Sequence, residues 1–189
     1  GGAFIKSSND KEIPDIQLHF VVAMVEDHGR QDLWGNGFSC HMCLLRPESR
    51  GTVKIASKDP FEDPLIDPNY LSVQSDIDTM VDGYKRMMEI MNTEPLRNYK
   101  KIRNPIDINN DQAIVNALRE RSDTIYHPVG TCKMGNDEMA VVDSELRVKG
   151  VENLRVVDAS IMPTLVGGNT NAPSMMIGEK AADMIRNSK

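Results

Sequence analysis

Hydrophobic and polar positions alternate in some stretches of this chain and recur at helical spacing in others. Residues 16–25, IQLHFVVAMV, are apolar, rich in β-branched side chains and bounded by polar loops, so they predict a buried strand. A loop dense in Gly, Asp and Asn follows, then a second strand over 38–46, FSCHMCLLR. Residues 52–57, TVKIAS, set Val53 and Ile55 against polar neighbours. The spacing predicts a hairpin between 38–46 and 52–57 with Gly51 in its turn. Three Asp-Pro steps between 59 and 68 predict an extended, punctuated loop.

The period then changes. Ile77, Met80, Val81, Tyr84, Met87, Met88 and Met91 recur at three- and four-residue steps, predicting a helix over 75–92 capped by Ser75. Pro95 bars its continuation. A second helix is expected over 111–121, with Ile114, Val115 and Leu118 on one face and Asn110 as cap. TIYHPVGTCKMG reads as a strand-like entry broken by Pro128 and Gly130. Two short strands are expected at 145–148 and 154–158, and a last helix over 173–186 with Pro173 in its first turn. Strands followed by helices, without regular βαβ alternation, indicate an α+β fold: mostly antiparallel sheet with flanking helices.

Composition narrows the partners. Of the 189 residues 40% are apolar, enough for a core, and 12 methionines fill it alongside few aromatics. A net charge of −6 argues against nucleic acid, which needs a basic face. No apolar run reaches the roughly 18 residues of a membrane span. Three cysteines, at 40, 43 and 132, do not suggest a disulfide framework, and reduced, cytoplasmic conditions are expected. Peripheral membrane association stays open. Cys40 and Cys43 form a CxxC, but on a strand residues three apart face opposite ways, so packing is favoured over metal binding. His19 and His41, also on strands, read as satisfied core residues, and His28 as solvated in its loop.

Two features suggest chemistry. His127 precedes Pro128, whose ring biases it to an extended backbone at a strand end, where an imidazole can serve as general base. A structural histidine is the competing reading. The stretch GGNTNAPSMMIGEKAADMI opens a helix behind Gly167, Gly168 and the amides of Asn169 and Asn171. Free N–H groups at such an end favour an anion or a developing negative charge. An ordinary capped helix fits equally well.

These same residues resemble a known family. YHPVGTCKMG, followed by VVDSELRVKGVENLRVVDASIMPTLVGGNTNAPSMMIGEKAADMI, is similar to the carboxy-terminal signature of the glucose-methanol-choline oxidoreductases. Its choline dehydrogenases and related FAD-dependent alcohol dehydrogenases are the nearest branch. The earlier residues resemble that branch's substrate-side strands, so the likeness runs along nearly the whole chain.

The resemblance implies an FAD enzyme that oxidises a primary alcohol to an aldehyde, passing a hydride to flavin N5. It makes His127 the group that takes the hydroxyl proton and Asn169 the second catalytic position. Asp158, Ala159, Thr170, Asn171 and Pro173 are implied to lie against the FAD. It implies a substrate-binding part over 1–149 and a segment, 150–189, returning to an FAD-binding part. The family's glycine-rich βαβ unit has no counterpart in the sequence, so an upstream FAD-binding half is expected and the chain alone is expected to be inactive. A small alcohol is the expected partner. Choline would call for aromatic faces, for which Trp34, Phe38 and Tyr126 are available, while a longer aliphatic alcohol suits the Met- and Leu-rich composition equally well. The electron acceptor, oxygen or a quinone chain, is left open. So are two alternatives: hydroxynitrile lyase chemistry on the same fold, or a non-catalytic binding module.

Overall fold

The computed structural model describes residues 1–26, 33–99 and 105–188. His28 lies outside the described residues. The chain forms two compact units, Gly1–Ser49 with Tyr70–Asp123, and Arg50–Asn69 with Thr124–Lys189. The α+β expectation holds: small antiparallel sheets accompany the helices.

In the first unit, strands β1 (Gly2–Ile5), β2 (Ile16–Val21) and β3 (Ser39–Leu44) form an antiparallel sheet in sequence order. The sequence reading missed β1. It pairs Ile5 with Ile16 and Gly2 with His19, and the loop between is fastened where Ser7 donates to both Asp15 oxygens at 2.7 Å. Register sets Ile16 opposite Leu44, Leu18 opposite Met42 and Phe20 opposite Cys40. Side chains alternate across a strand, so this set shares one face. That face packs on α1 (Gln74–Met91), where Met80, Met87 and Met88 join Ile16 and Leu18 in the core. The opposite face carries Gln17, His19, His41 and Cys43.

Helix α1 forms where the methionine periodicity predicts it. Its capping differs from the expectation. Val73 is the N-cap, without a side-chain bond, and the Ser75 hydroxyl instead donates to Glu48. The helix start is held by an exchange with residues 48–49. Ser49 Oγ accepts from the N–H groups of Ser72 and Val73, while buried Asp76 accepts from those of Glu48 and Ser49 at 2.9 and 2.8 Å. After α1 the chain makes a four-residue helix, α2 (Glu94–Arg97), with Pro95 in its first turn. Helix α3 (Asp111–Arg121) has the expected bounds and cap: Asn110 accepts from the Ala113 N–H. Its buried Ile114 meets Ile77 and Val81 of α1.

In the second unit, β4 (Thr52–Lys54) pairs antiparallel with β5 (Leu65–Asp67). This corrects the hairpin expected between 38–46 and 52–57. Gly51 belongs to a close backbone approach instead, since a Cβ there would fall 2.2 Å from the Asp67 carbonyl oxygen.

The strands expected at 145–148 and 154–158 are reduced to single bridges, Val142 with Val148 and Arg147 with Arg155. Asp143 accepts from the N–H groups of Glu145 and Arg147, and Leu146, Gly150 and Asn153 have positive φ. Local turns therefore take up backbone that a ladder would use. The core here joins Val142 and Leu146 to Ile161, Met162, Ile177 and Ala181, and so spans both sides of residue 150. The last helix, α4 (Asn171–Asn187), starts two residues before the expected position and has Pro173 in its first turn.

Candidate active site

At the start of α4 two consecutive side chains meet a third that is more than 40 positions away in sequence. His127 is half-buried. Asn169 Nδ2 lies 2.9 Å from its Nε2, and Thr170 Oγ1 lies 2.8 Å from its Nδ1. Both ring nitrogens thus have neutral polar partners from consecutive residues.

The local chain explains how His127 is held. No strand forms before it, which corrects the strand-end expectation. Tyr126 has φ +65°, unusual for a bulky residue, and its N–H donates to Thr124 Oγ1. Beyond Pro128 the chain turns at Gly130, whose φ is +89°. The Cys132 and Met134 N–H groups then donate to the carbonyls of Ser160 and Ile161. That ties the histidine loop to the 3-10 turn Ala159–Ile161, which packs on α4. The core residues Ile161, Met162 and Ile177 fix this assembly from below.

The other expected site residues lie on the same elements. Asp158 caps the 3-10 turn, accepting from the Ser160 N–H at 2.7 Å. Ala159 is partly buried against the core. Thr170 is the N-cap residue of α4 but makes no side-chain cap, because its hydroxyl is turned to His127. Its carbonyl accepts from both the N–H and the hydroxyl of Ser174. Asn171 is exposed and Pro173 half-buried. The first turn of α4 carries no acidic residue. Its opening N–H groups, without a side-chain cap, suit a negatively charged or carbonyl-bearing edge.

The sequence placed Thr170 with the cofactor set and missed its bond to His127. Two residues 43 positions apart carry no mutual signal in a single sequence.

The remaining candidates lie elsewhere. Cys40 and Cys43 are free thiols on opposite faces of β3, and burial pushes both above the ordinary thiol range. Cys43 Sγ lies 3.7 Å from His19 Nε2. His41, directly across from His19, is exposed, which corrects its reading as a core residue. Among the described residues no group of three or more His, Cys, Asp or Glu is arranged to hold a metal. Of the aromatics, Trp34 is 93% exposed, and Phe38 stacks on Phe20 with ring centroids 5.2 Å apart. No helix of the described residues is long and apolar enough to cross a membrane.

The family model for the GMC oxidoreductases matches residues 47–178, a stretch that contains all three residues of the His127 cluster. The chain belongs to the GMC oxidoreductase family. It is 48% identical over 187 residues to an alcohol dehydrogenase [acceptor] of Pseudomonas putida, covering 97% of this chain and 34% of that protein. It is 45% identical over 188 residues to an oxygen-dependent choline dehydrogenase of Cronobacter sakazakii, covering 98% and 34%. Among solved structures, pyridoxine 4-oxidase from Mesorbium loti superposes with a TM-score of 0.90 at 28% identity, covering all of this chain and 38% of that one. The chain thus spans about a third of the length of the curated relatives it matches. The family's members are FAD-dependent flavoproteins.

Proposed function

We propose that this chain is the substrate-side and carboxy-terminal part of an FAD-dependent, choline dehydrogenase-like alcohol dehydrogenase that oxidises a primary alcohol to its aldehyde. The single observation that carries the reading is the contact of His127 with Asn169 at the mouth of α4, inside the stretch that matches the family.

The chemistry follows from the two side chains. A hydride leaves an alkoxide far more readily than a neutral alcohol. An imidazole nitrogen at hydrogen-bond distance supplies that alkoxide character by taking the hydroxyl proton. Asn169 cannot act as a base, but its amide can donate to the substrate oxygen and hold it as charge builds. The two groups lie 2.9 Å apart, so one substrate oxygen can be reached by both. FAD supplies the hydride acceptor when bound.

The residues present fit that cofactor. The start of α4 offers N–H groups without a side-chain cap or an acidic neighbour, beside Asn171 and Pro173, where a negative edge is stabilised. Asp158 and Ala159 lie on the turn that packs against the same helix. On this reading residues 1–149 serve the substrate side and 150–189 the flavin side. The glycine-rich part that holds the pyrophosphate lies elsewhere in the intact enzyme, and the chain alone is inactive. The enzyme works in the cytoplasm or peripherally at its membrane.

The test is anaerobic flavin bleaching in the intact protein that carries this sequence. Choline and straight-chain primary alcohols are each expected to be compared, with at least one bleaching the flavin and yielding an aldehyde. A flavin that no primary alcohol reduces, in a protein that instead cleaves a cyanohydrin, would overturn the reading.

A further inference from the structure

Thr170 stands out because its environment does not match its place in the helix. An N-cap threonine ordinarily turns its hydroxyl onto the helix's own N–H groups. Here the hydroxyl makes no cap bond and lies 2.8 Å from His127 Nδ1. The residue is 8% exposed, so little water is available to replace that partner.

The direction of the bonds follows from the donor inventory. An amide nitrogen can only donate, so Asn169 Nδ2, at 2.9 Å, requires Nε2 to accept. A neutral imidazole carries one proton, which then sits on Nδ1 and donates to Thr170 Oγ1. The lone pair is left on Nε2, the nitrogen facing Asn169. With the proton on Nε2 instead, that nitrogen would meet an amide donor head-on and could no longer accept a proton.

We propose that Thr170 is a positioning residue for His127: its hydroxyl accepts from Nδ1–H, which supports the tautomer that the Asn169 amide selects and keeps the lone pair of the base on Nε2. It does so without a charged partner, using a hydroxyl held by a helix end. Two further features hold it there. The Thr170 carbonyl takes two bonds from Ser174, and α4 is anchored through Ile177 and Ala181 in the core. This inference rests on the proposed role of His127 as proton acceptor.

The experiment uses the intact flavoprotein labelled with 15N-histidine, together with steady-state turnover of Thr170→Val, Thr170→Ser and His127→Ala. In the wild type, His127 is expected to show a protonated Nδ1 and an unprotonated Nε2. Thr170→Val is expected to populate the Nε2-protonated form and to lower kcat by about ten- to a hundredfold, the scale of one lost buried hydrogen bond. Thr170→Ser, which keeps the hydroxyl, is expected to restore both readings to near wild type. A wild-type His127 protonated on Nε2 overturns the proposal even if the valine variant does not fold. So does a serine variant as impaired as the valine one, since packing of the methyl group would then be the cause. If His127→Ala turns over normally, the reading of His127 itself fails. If only Thr170→Val is normal, that reading stands and the role of Thr170 falls.

Discussion

Replacing Asp76 by alanine is expected to loosen the start of α1 in a way that can be worked out bond by bond. The carboxylate is 3% exposed and accepts from two successive N–H groups, Glu48 at 2.9 Å and Ser49 at 2.8 Å. Hydrogen bonds to a charged group contribute about 1.5–3 kcal/mol each. Alanine gains about 0.5 kcal/mol in helix propensity but forfeits a similar favourable interaction with the helix N-terminus, so these two nearly cancel. Glu48 is exposed, and its N–H can find water, which puts the expected loss at the lower end, about 2–4 kcal/mol. Asparagine keeps the shape but one oxygen only, and about half the loss is expected. Amide hydrogen exchange of the 45–52 segment in the intact protein reads the effect directly. Exchange at Glu48 and Ser49 is expected to quicken about thirty- to a thousandfold, at roughly 1.4 kcal/mol per factor of ten. Unchanged exchange in Asp76→Ala would mean that these bonds do not hold the segment.

Three further outcomes are expected. In Gly83→Val, the first added carbon would fall 2.8 Å from both Cδ1 and Cγ1 of Ile16, which is fully buried. Overpacking of about 1–3 kcal/mol then exceeds the roughly 0.4 kcal/mol that replacing glycine by β-branched valine returns to the helix, and urea unfolding should show a lower midpoint. Cys40 and Cys43, whose thiols burial holds above the ordinary range, should alkylate more slowly in the folded protein than after denaturation. A raised folded value means that this contribution to stability is complete below the unfolded thiol's pKa, about 8.5. It is lost as pH rises through the folded value, so alkaline pH should weaken the fold.

How far the sequence could be read differs between elements for physical reasons. Helices α1 and α3 were legible because each has one periodic apolar face, and Asn110 caps where its side chain allows. Strand β1 was hidden in a short, glycine-led stretch with exposed side chains, and only its pairing with β2 reveals it. The β4 hairpin was assigned to the wrong partner because local spacing cannot distinguish β3 from β5. The strands expected around 145–158 have strand-like composition, yet Asp143 and three positive-φ positions turn the chain instead. At the site, His127 and Asn169 were singled out through a family resemblance, while the bond from His127 to Thr170 appears only in three dimensions.

His127 is proposed as the acceptor of the substrate's hydroxyl proton. The most direct test of this role is the rate of anaerobic flavin reduction by a primary alcohol in the intact protein and in its His127→Ala variant. Loss of a general base is expected to slow reduction by about a hundred- to ten-thousandfold while FAD stays bound. Reduction at a near wild-type rate in the alanine variant would mean that another group takes the proton.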